Sequence, residues 1–301
     1  MRSYPYTTFL LGTLAVSTLL VSYACSPAKQ VPTKTSYGGA FTPGDRSFER
    51  AVVIGPSTAA TIAAMGLAEK VVGVSDYCSD QAFANLPRVG GQQDPSLERI
   101  VVLKPDLVII QGESLRLRDW CEQNNIAFRR FLTDSWDEWL DEVLQLGDLF
   151  AAPGAAERVR GEAETRLQRA RSVQEHSPSV LLVVGRRPHQ ASGLVVAGAA
   201  SFLSELLEIA GGRNAVADNP RDYFDLNEEA VLLLNPDIIL EFIPPDQDTF
   251  EIWEAAFPSL HAVQSKQVFA INKAWAVQPG PRMPDTAMLF SKLITACLAN
   301  N

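Results

Sequence analysis

The sequence predicts an α/β fold of two similar lobes joined by one long α-helix, with a ligand cleft between the lobes. Three observations predict it. Short β-branched runs alternate with longer amphipathic stretches on both sides of a central segment rich in Arg and Glu. The phrases "LERIVVLKPDLVII" (97–110) and "NEEAVLLLNPDIIL" (227–240) write one pattern twice, with Glu98 and Pro105 recurring as Glu229 and Pro236, each 131 positions later. The central segment, "PGAAERVRGEAETRLQRARSVQE" (153–175), carries a narrow apolar stripe of Val159, Ala163, Leu167 and Ala170, as in a helix packed on one side and wet elsewhere. Such a helix of roughly 20 residues reaches about 30 Å, the width of a small domain. With 301 residues, 47% of them hydrophobic, the chain can bury one large core or two ordinary ones.

The elements follow in order. Residues 1–24 read as a signal peptide: Arg2 precedes an apolar run from Phe9 to Val21 that is short for a membrane span. Ser22 and Ala24 stand three and one positions before Cys25, so either an ordinary signal peptidase cuts here or a lipoprotein peptidase leaves Cys25 to be acylated. Residues 25–48, rich in Pro, Ser, Thr and Gly, form a tether. The first lobe, 49–148, opens with strands at 51–55 and 70–76 and a helix between them that ends near Gly66. Asp94 then caps a helix with Pro95 at its first position, and that helix stops before Pro105. Strands "DLVII" (106–110) and "AFRRFL" (127–132) flank a helix carrying Trp120 and Cys121. Residues 149–178 contain the connecting helix. The second lobe, 179–301, repeats the plan with strands at 179–185, 193–198 and 267–272, a helix at 201–212 and the second copy of the motif. Alternation of this kind argues for mostly parallel sheets wrapped by helices.

A formal charge of −9 and a pI near 4.9 exclude a partner bound through phosphate neutralisation, so no nucleic-acid role is expected. No metal site or resident cofactor is expected either: no Cys-x-x-Cys pair occurs, and His176, His189 and His261 are scattered. Beyond Cys25, the thiols Cys78, Cys121 and Cys297 can close at most one disulfide. The chain lacks a G-x-S-x-G elbow, a P-loop, an H-E-x-x-H helix and a Gly-rich dinucleotide turn, which favours binding over catalysis.

Several residues can carry that binding. Glu98 and Glu229 sit where a helix N-terminus favours a carboxylate. As equivalent acids on equivalent lobes they also offer paired contacts to a two-fold partner bearing Arg or Lys. Tyr77, Tyr223 and Trp275 follow strands or lie in loops, and the loops beyond strand carboxyl ends are where α/β lobes hold ligands. Gln111 in "QGES" offers a polar contact in the first lobe. In the second, "GRRPHQASG" (185–193) puts Arg186, Arg187, His189 and Gln190 over the cleft, the arginines suited to carboxylate or phosphate and His189 to a metal centre. Aromatic rings beside a few polar groups suit a flat macrocycle.

The stretches "VVGVSDYC", "LPRVGG", "PSLERIVVLKPDLVI", "SFLSELLEIAGGRN", "EEAVLLLNPDIIL" and "FPSLHAVQSKQVFAIN" resemble the class III periplasmic binding proteins, which serve ABC importers of cobalamin, haem and iron-siderophores. The resemblance runs from about Glu49 to the end. It implies two Rossmann-like lobes on a single connecting helix, with little hinge motion. It implies that Glu98 and Glu229 dock onto arginines of a permease dimer and that Tyr77 and Tyr223 face a corrin. Gln92 stands where cobalamin binders carry Trp. "WAVQPGPR" (275–282) is similar to the segment that closes the cleft, with Trp275 as a ring contact and Arg282 as a structural group. The implied protein is a monomeric, non-enzymatic, extracytoplasmic lipoprotein of an ABC importer with its permease and ATPase subunits as partners. Its cargo is a cobalt corrinoid, with ferric siderophore or haem as alternatives and chelatase-like catalysis as a more distant one.

Overall fold

The computed structural model of the chain describes residues 47–172, 177–242 and 249–299. The expected signal peptide, Cys25, His176 and nearly all of the expected tether lie outside the described residues. The first sheet is built from β1 (Ala51–Ile54), α1 (Pro56–Ala64), β2 (Val71–Val74), α2 (Leu97–Val102), β3 (Leu107–Gln111), α3 (Leu115–Gln123), β4 (Ala127–Phe131) and α4 (Trp136–Leu149). Its strands run parallel in the order β2-β1-β3-β4. The helical crossovers allow this, and they cover both faces, so the central strands are apolar throughout. Ala51, Val53, Leu107 and Ile109 point into one core, while Val52, Ile54, Val108 and Ile110 point into another with Ile100, Leu117 and Cys121.

Next comes α5 (Pro153–Ala170), whose 18 residues extend about 27 Å. Its stripe of Val159, Ala163, Leu167 and Ala170 is buried, joined by Ala156. The helix holds both lobes. Arg158 Nη2 donates to the carbonyls of Ala64 and Met65 at 3.1 and 3.2 Å, and Arg166 pairs with Asp285.

The second sheet uses β5 (Ser179–Gly185), β6 (Leu194–Ala197), α6 (Phe202–Ile209), β7 (Arg213–Asn214), β8 (Tyr223–Leu226), α7 (Glu228–Leu234), β9 (Ile238–Phe242), α8 (Thr249–Ala256), α9 (His261–Gln264), β10 (Val268–Ile271) and α10 (Met283–Ala299). The order β10-β9-β5-β6-β8 is parallel from β10 to β5 and antiparallel beyond, with β7 alongside β5. The departure from a parallel plan has a simple cause: residues 186–193 between β5 and β6 are too few for a crossover helix. Tyr223 therefore begins an edge strand and is not a loop residue.

The duplicated phrase is duplicated structure. Ser96 Oγ accepts from Arg99 N at 3.4 Å and Asn227 Oδ1 accepts from Ala230 N at 2.8 Å, so α2 and α7 have equivalent N-caps 131 positions apart. The expected cap at Asp94 is corrected here, because Pro95 bridges to Gly90 outside the helix. Ile100 and Val231 are the buried anchors, and Lys104 and Asn235 both turn left-handed, at φ 47° and 39°. Each unit then fixes the start of a neighbouring strand. Asp106 accepts from Glu49 N and Arg50 N at 2.9 and 3.0 Å, and Asp237 accepts from Ser179 N at 2.8 Å.

One apolar core runs through both lobes, from Val53 and Ile109 through Trp139, Leu167 and Phe290 to Leu182 and Leu240. Separating the lobes would expose it, so rigid-body opening is opposed by burial as well as by α5. Cys78, Cys121 and Cys297 are buried and free, and among the described residues no helix is long and apolar enough to cross a membrane.

Candidate functional site

The carboxyl ends of the parallel strands converge on a cavity of about 440 Å³. Pro56 and Ser57 arrive after β1, Gln111 and Gly112 at the end of β3, and Leu132, Thr133 and Asp134 after β4; Gln92 completes the first lobe's share. The second lobe closes it with Val277, Gln278 and Pro279, and Ser57 Oγ donates to the Pro279 carbonyl across the junction. Gly112 is required at its position. Its φ is 102°, and a Cβ there would lie 1.7 Å from Gln92 Nε2, so the amide of Gln92 rests on bare backbone.

Beneath Thr133 lies Glu142 on α4, fully buried and hydrogen-bonded to the Thr133 hydroxyl. Burial pushes its carboxyl above the ordinary range, with the Thr133 bond opposing. Asp134 is also raised, by burial first and then by the charges of Glu138 and Asp222. Opposite it stands Tyr223 of the second lobe. Its phenol is pushed well above the usual value by burial and by Asp134 and Asp222. Tyr77, after β2, is 74% exposed with its ring against Gly91, and it does not line the cavity. Trp275 does not line the cavity as expected. It packs on the shared core with the Arg282 guanidinium 4.0 Å from its ring centroid, and the residues that follow it form the wall.

The sequence pattern of the periplasmic binding protein family matches residues 52–274. The chain belongs to that family. It is a solute-binding protein of the periplasmic type, which works outside the cytoplasm. A vitamin B12-binding protein of Vibrio cholerae serotype O1 is 28% identical over 244 residues, spanning 79% of this chain and 86% of the relative. The high-affinity heme uptake system protein IsdE of Staphylococcus aureus is 26% identical over 162 residues, 52% of this chain and 54% of the relative. The crystal structure of the periplasmic vitamin B12 binding protein BtuF of Vibrio cholerae superposes with a TM-score of 0.70 at 26% identity, covering 83% of this chain and 98% of the other.

The other expected site residues of this periplasmic binding protein divide. Gln92 and Gln111 meet in the interlobe cavity. His189 and Gln190 do not join them; they line a separate cavity of about 620 Å³ with Glu228, Glu251, Ile252 and Phe257. Arg186, expected over the cleft, turns inward to a buried ion pair with Glu241. Arg187 is exposed, its backbone N–H donating to the Ser192 carbonyl at 2.9 Å. Glu98 and Glu229 are exposed in the first turns of α2 and α7, without an ion pair or side-chain hydrogen bond among the described residues. Among those residues no three His, Cys, Asp or Glu side chains gather to hold a metal ion. Ser57, Thr133, Asp134 and Gln278 were not expected. The rule that ligands gather beyond strand carboxyl ends points to the first three once β1 and β4 are placed; Gln278 had no local signal beyond the closing segment.

Proposed function

We propose that this chain captures a corrinoid of the cobalamin class between its lobes and delivers it to the permease of an ABC importer. The observation that carries this reading is the chemistry of the interlobe cavity. Ser57, Gln92, Gln111, Thr133 and Gln278 present uncharged hydrogen-bonding groups, Asp134 is the one ionisable lining residue, and Lys, Arg and His are absent from the lining. A corrin is fringed with carboxamides, and a Gln amide meets each with a donor and an acceptor. Haem propionates and the anionic chelating groups of many siderophores favour a cation at the wall. Tyr223, 42% exposed at the start of β8, offers an aromatic face for stacking. Leu132 and Val277 add partly exposed apolar surface to the cavity wall.

The vitamin B12-binding relative supports the corrinoid, while the heme uptake relative, matched over about half its length, supports haem as the second reading. On the first reading Glu98 and Glu229 dock the loaded protein onto cations of the permease, and acylated Cys25 tethers it to the membrane. The ligand is returned unchanged. Purified protein mixed in turn with cyanocobalamin, haem and a ferric hydroxamate siderophore, then passed through gel filtration, tests the assignment. Cyanocobalamin colour eluting with the protein is the expected result; retention of haem or the iron chelate alone overturns it.

A further inference from the structure

Ten large hydrophobic side chains are exposed among the described residues, and nine fall into two groups. Tyr77, Leu115 and Leu132 follow strands, Tyr223 begins one, and Val277 lines the cleft. The other four are Val101, Val102, Leu232 and Leu233. No ligand explains these, and their register is unusual: Val101 recurs as Leu232 and Val102 as Leu233, at the same 131-residue offset as the rest of the repeated unit. Their exposures match as well, 49% and 48% for the first pair and 75% and 84% for the second.

Each pair stands three and four residues after an unpartnered acid, Glu98 on α2 and Glu229 on α7. On a helix, positions i, i+3 and i+4 share a face. Each lobe therefore presents the same composite face, one free carboxylate followed by two aliphatic side chains. The opposite side of each helix is accounted for, since Ile100 and Val231 are buried in the lobe. Local packing gives no reason to keep a bare Leu or Val at all four positions, where polar residues would be equally helical and better solvated.

We propose that Val101, Val102, Leu232 and Leu233 are the apolar half of the permease-docking surface, seated on two equivalent apolar shelves of a two-fold membrane partner beside the cations that meet Glu98 and Glu229. This rests on the docking reading of those two acids and extends it. The partner is specified by the duplication: a face built twice in one chain fits a receiver that offers its complement twice, with a cation and a greasy shelf in each half. An acid in each face opposes the alternative of an anionic lipid surface. Apolar contacts shielded from water beside a charged pair are where interfaces concentrate their affinity, and this division leaves the acids to steer and the aliphatics to hold.

The test uses the full chain in its own cells, with a photo-crosslinking amino acid at Val101 or, separately, at Leu232. Both positions are expected to capture the same polytopic membrane subunit. Adding Val102→Asp and Leu233→Asp together should lower that yield by at least about tenfold, because two anchors are lost from one interface. Retained cyanocobalamin binding and an unchanged melting temperature show that the variant is folded. Crosslinks to a second copy of this chain, to lipid alone, or to different proteins from the two positions overturn the proposal. Should Glu98→Gln with Glu229→Gln abolish capture while the Asp variants do not, docking through the acids stands and the apolar shelves do not. Should neither pair change the yield, docking through these helices fails as a whole.

Discussion

The hydroxyl of Thr133, on the cavity wall, donates to the carboxyl of Glu142, which has no access to solvent. Hydrogen bonds from Thr133 and Thr58 favour the charged form of this carboxyl, and burial outweighs them. Because burial raises this carboxyl above its ordinary value of 4.5, the folded protein keeps a proton that the unfolded chain releases. That contribution to stability is complete below pH 4.5 and is lost as pH rises through the higher folded-state value. Asp134 and Glu205, raised chiefly by burial, act in the same direction. Thermal melting from mildly acidic to neutral pH should therefore show a falling melting temperature. Glu142→Gln should flatten the fall, and Glu142→Ala, which leaves Thr133 unpaired, should cost about 1–3 kcal/mol. Identical pH profiles for wild type and Glu142→Gln would show that the buried carboxyl is ionised in the folded state.

Two glycines separate backbone strain from cavity chemistry. Gly112 and Gly66 have φ of 102° and 77°, so Ala at either position costs about 1 kcal/mol or somewhat more in stability. A Cβ at Gly66 meets nothing within 4 Å, whereas one at Gly112 collides with the Gln92 amide. Gly66→Ala should lower the melting temperature and leave cyanocobalamin affinity alone. Gly112→Ala should do both, weakening affinity about tenfold as Gln92 is displaced from the wall. Equal affinities in the two variants, measured by titration calorimetry, would remove Gln92 from the binding surface.

Much of this architecture was legible in the sequence because it is written in local patterns. The apolar runs of β1, β3, β5 and β9 and the striped face of α5 are short-range signals, and the repeated phrase marked equivalent places in two lobes. The losses were long-range. Whether Arg186 overhangs a cleft or turns inward depends on Glu241, 55 residues away, and no window of sequence holds both. Trp275 was read as a ligand face because it is aromatic and lies in a loop, yet Arg282 and the shared core occupy its ring. The α2 cap was misread for a nearer reason: Asp94 and Pro95 make a plausible start, but the bridge from Gly90 to Pro95 keeps the chain extended until Ser96.

The ion pair between Arg186 and Glu241 has side chains 1% and 0% exposed, and Glu241 also accepts from Trp253 Nε1 at 3.0 Å. Removing one partner leaves the other charge stranded in an apolar setting. Arg186→Met alone is expected to cost about 3–5 kcal/mol, and Arg186→Met with Glu241→Met much less. Denaturant melts of the single and double variants check this. If the double loses as much as the sum of the singles, the pair is not coupled and the charges are served by other groups.

The equivalence of Glu98 and Glu229 yields a prediction about transport rather than binding. Neither acid lines the interlobe cavity, and both are exposed at equivalent capped helix starts. Reversing a charge at a docking rim replaces attraction with repulsion, a larger change than neutralising it. Glu98→Arg or Glu229→Arg should slow cyanocobalamin uptake by whole cells by about tenfold, a barrier of about 1.4 kcal/mol, and the double variant by more. Affinity of the purified proteins for cyanocobalamin should not change. The two single variants should also be close to equal in effect, because equivalent lobes meet equivalent halves of the partner. A strong defect from one acid and none from the other would mean that the repeated helices share a fold without sharing a task.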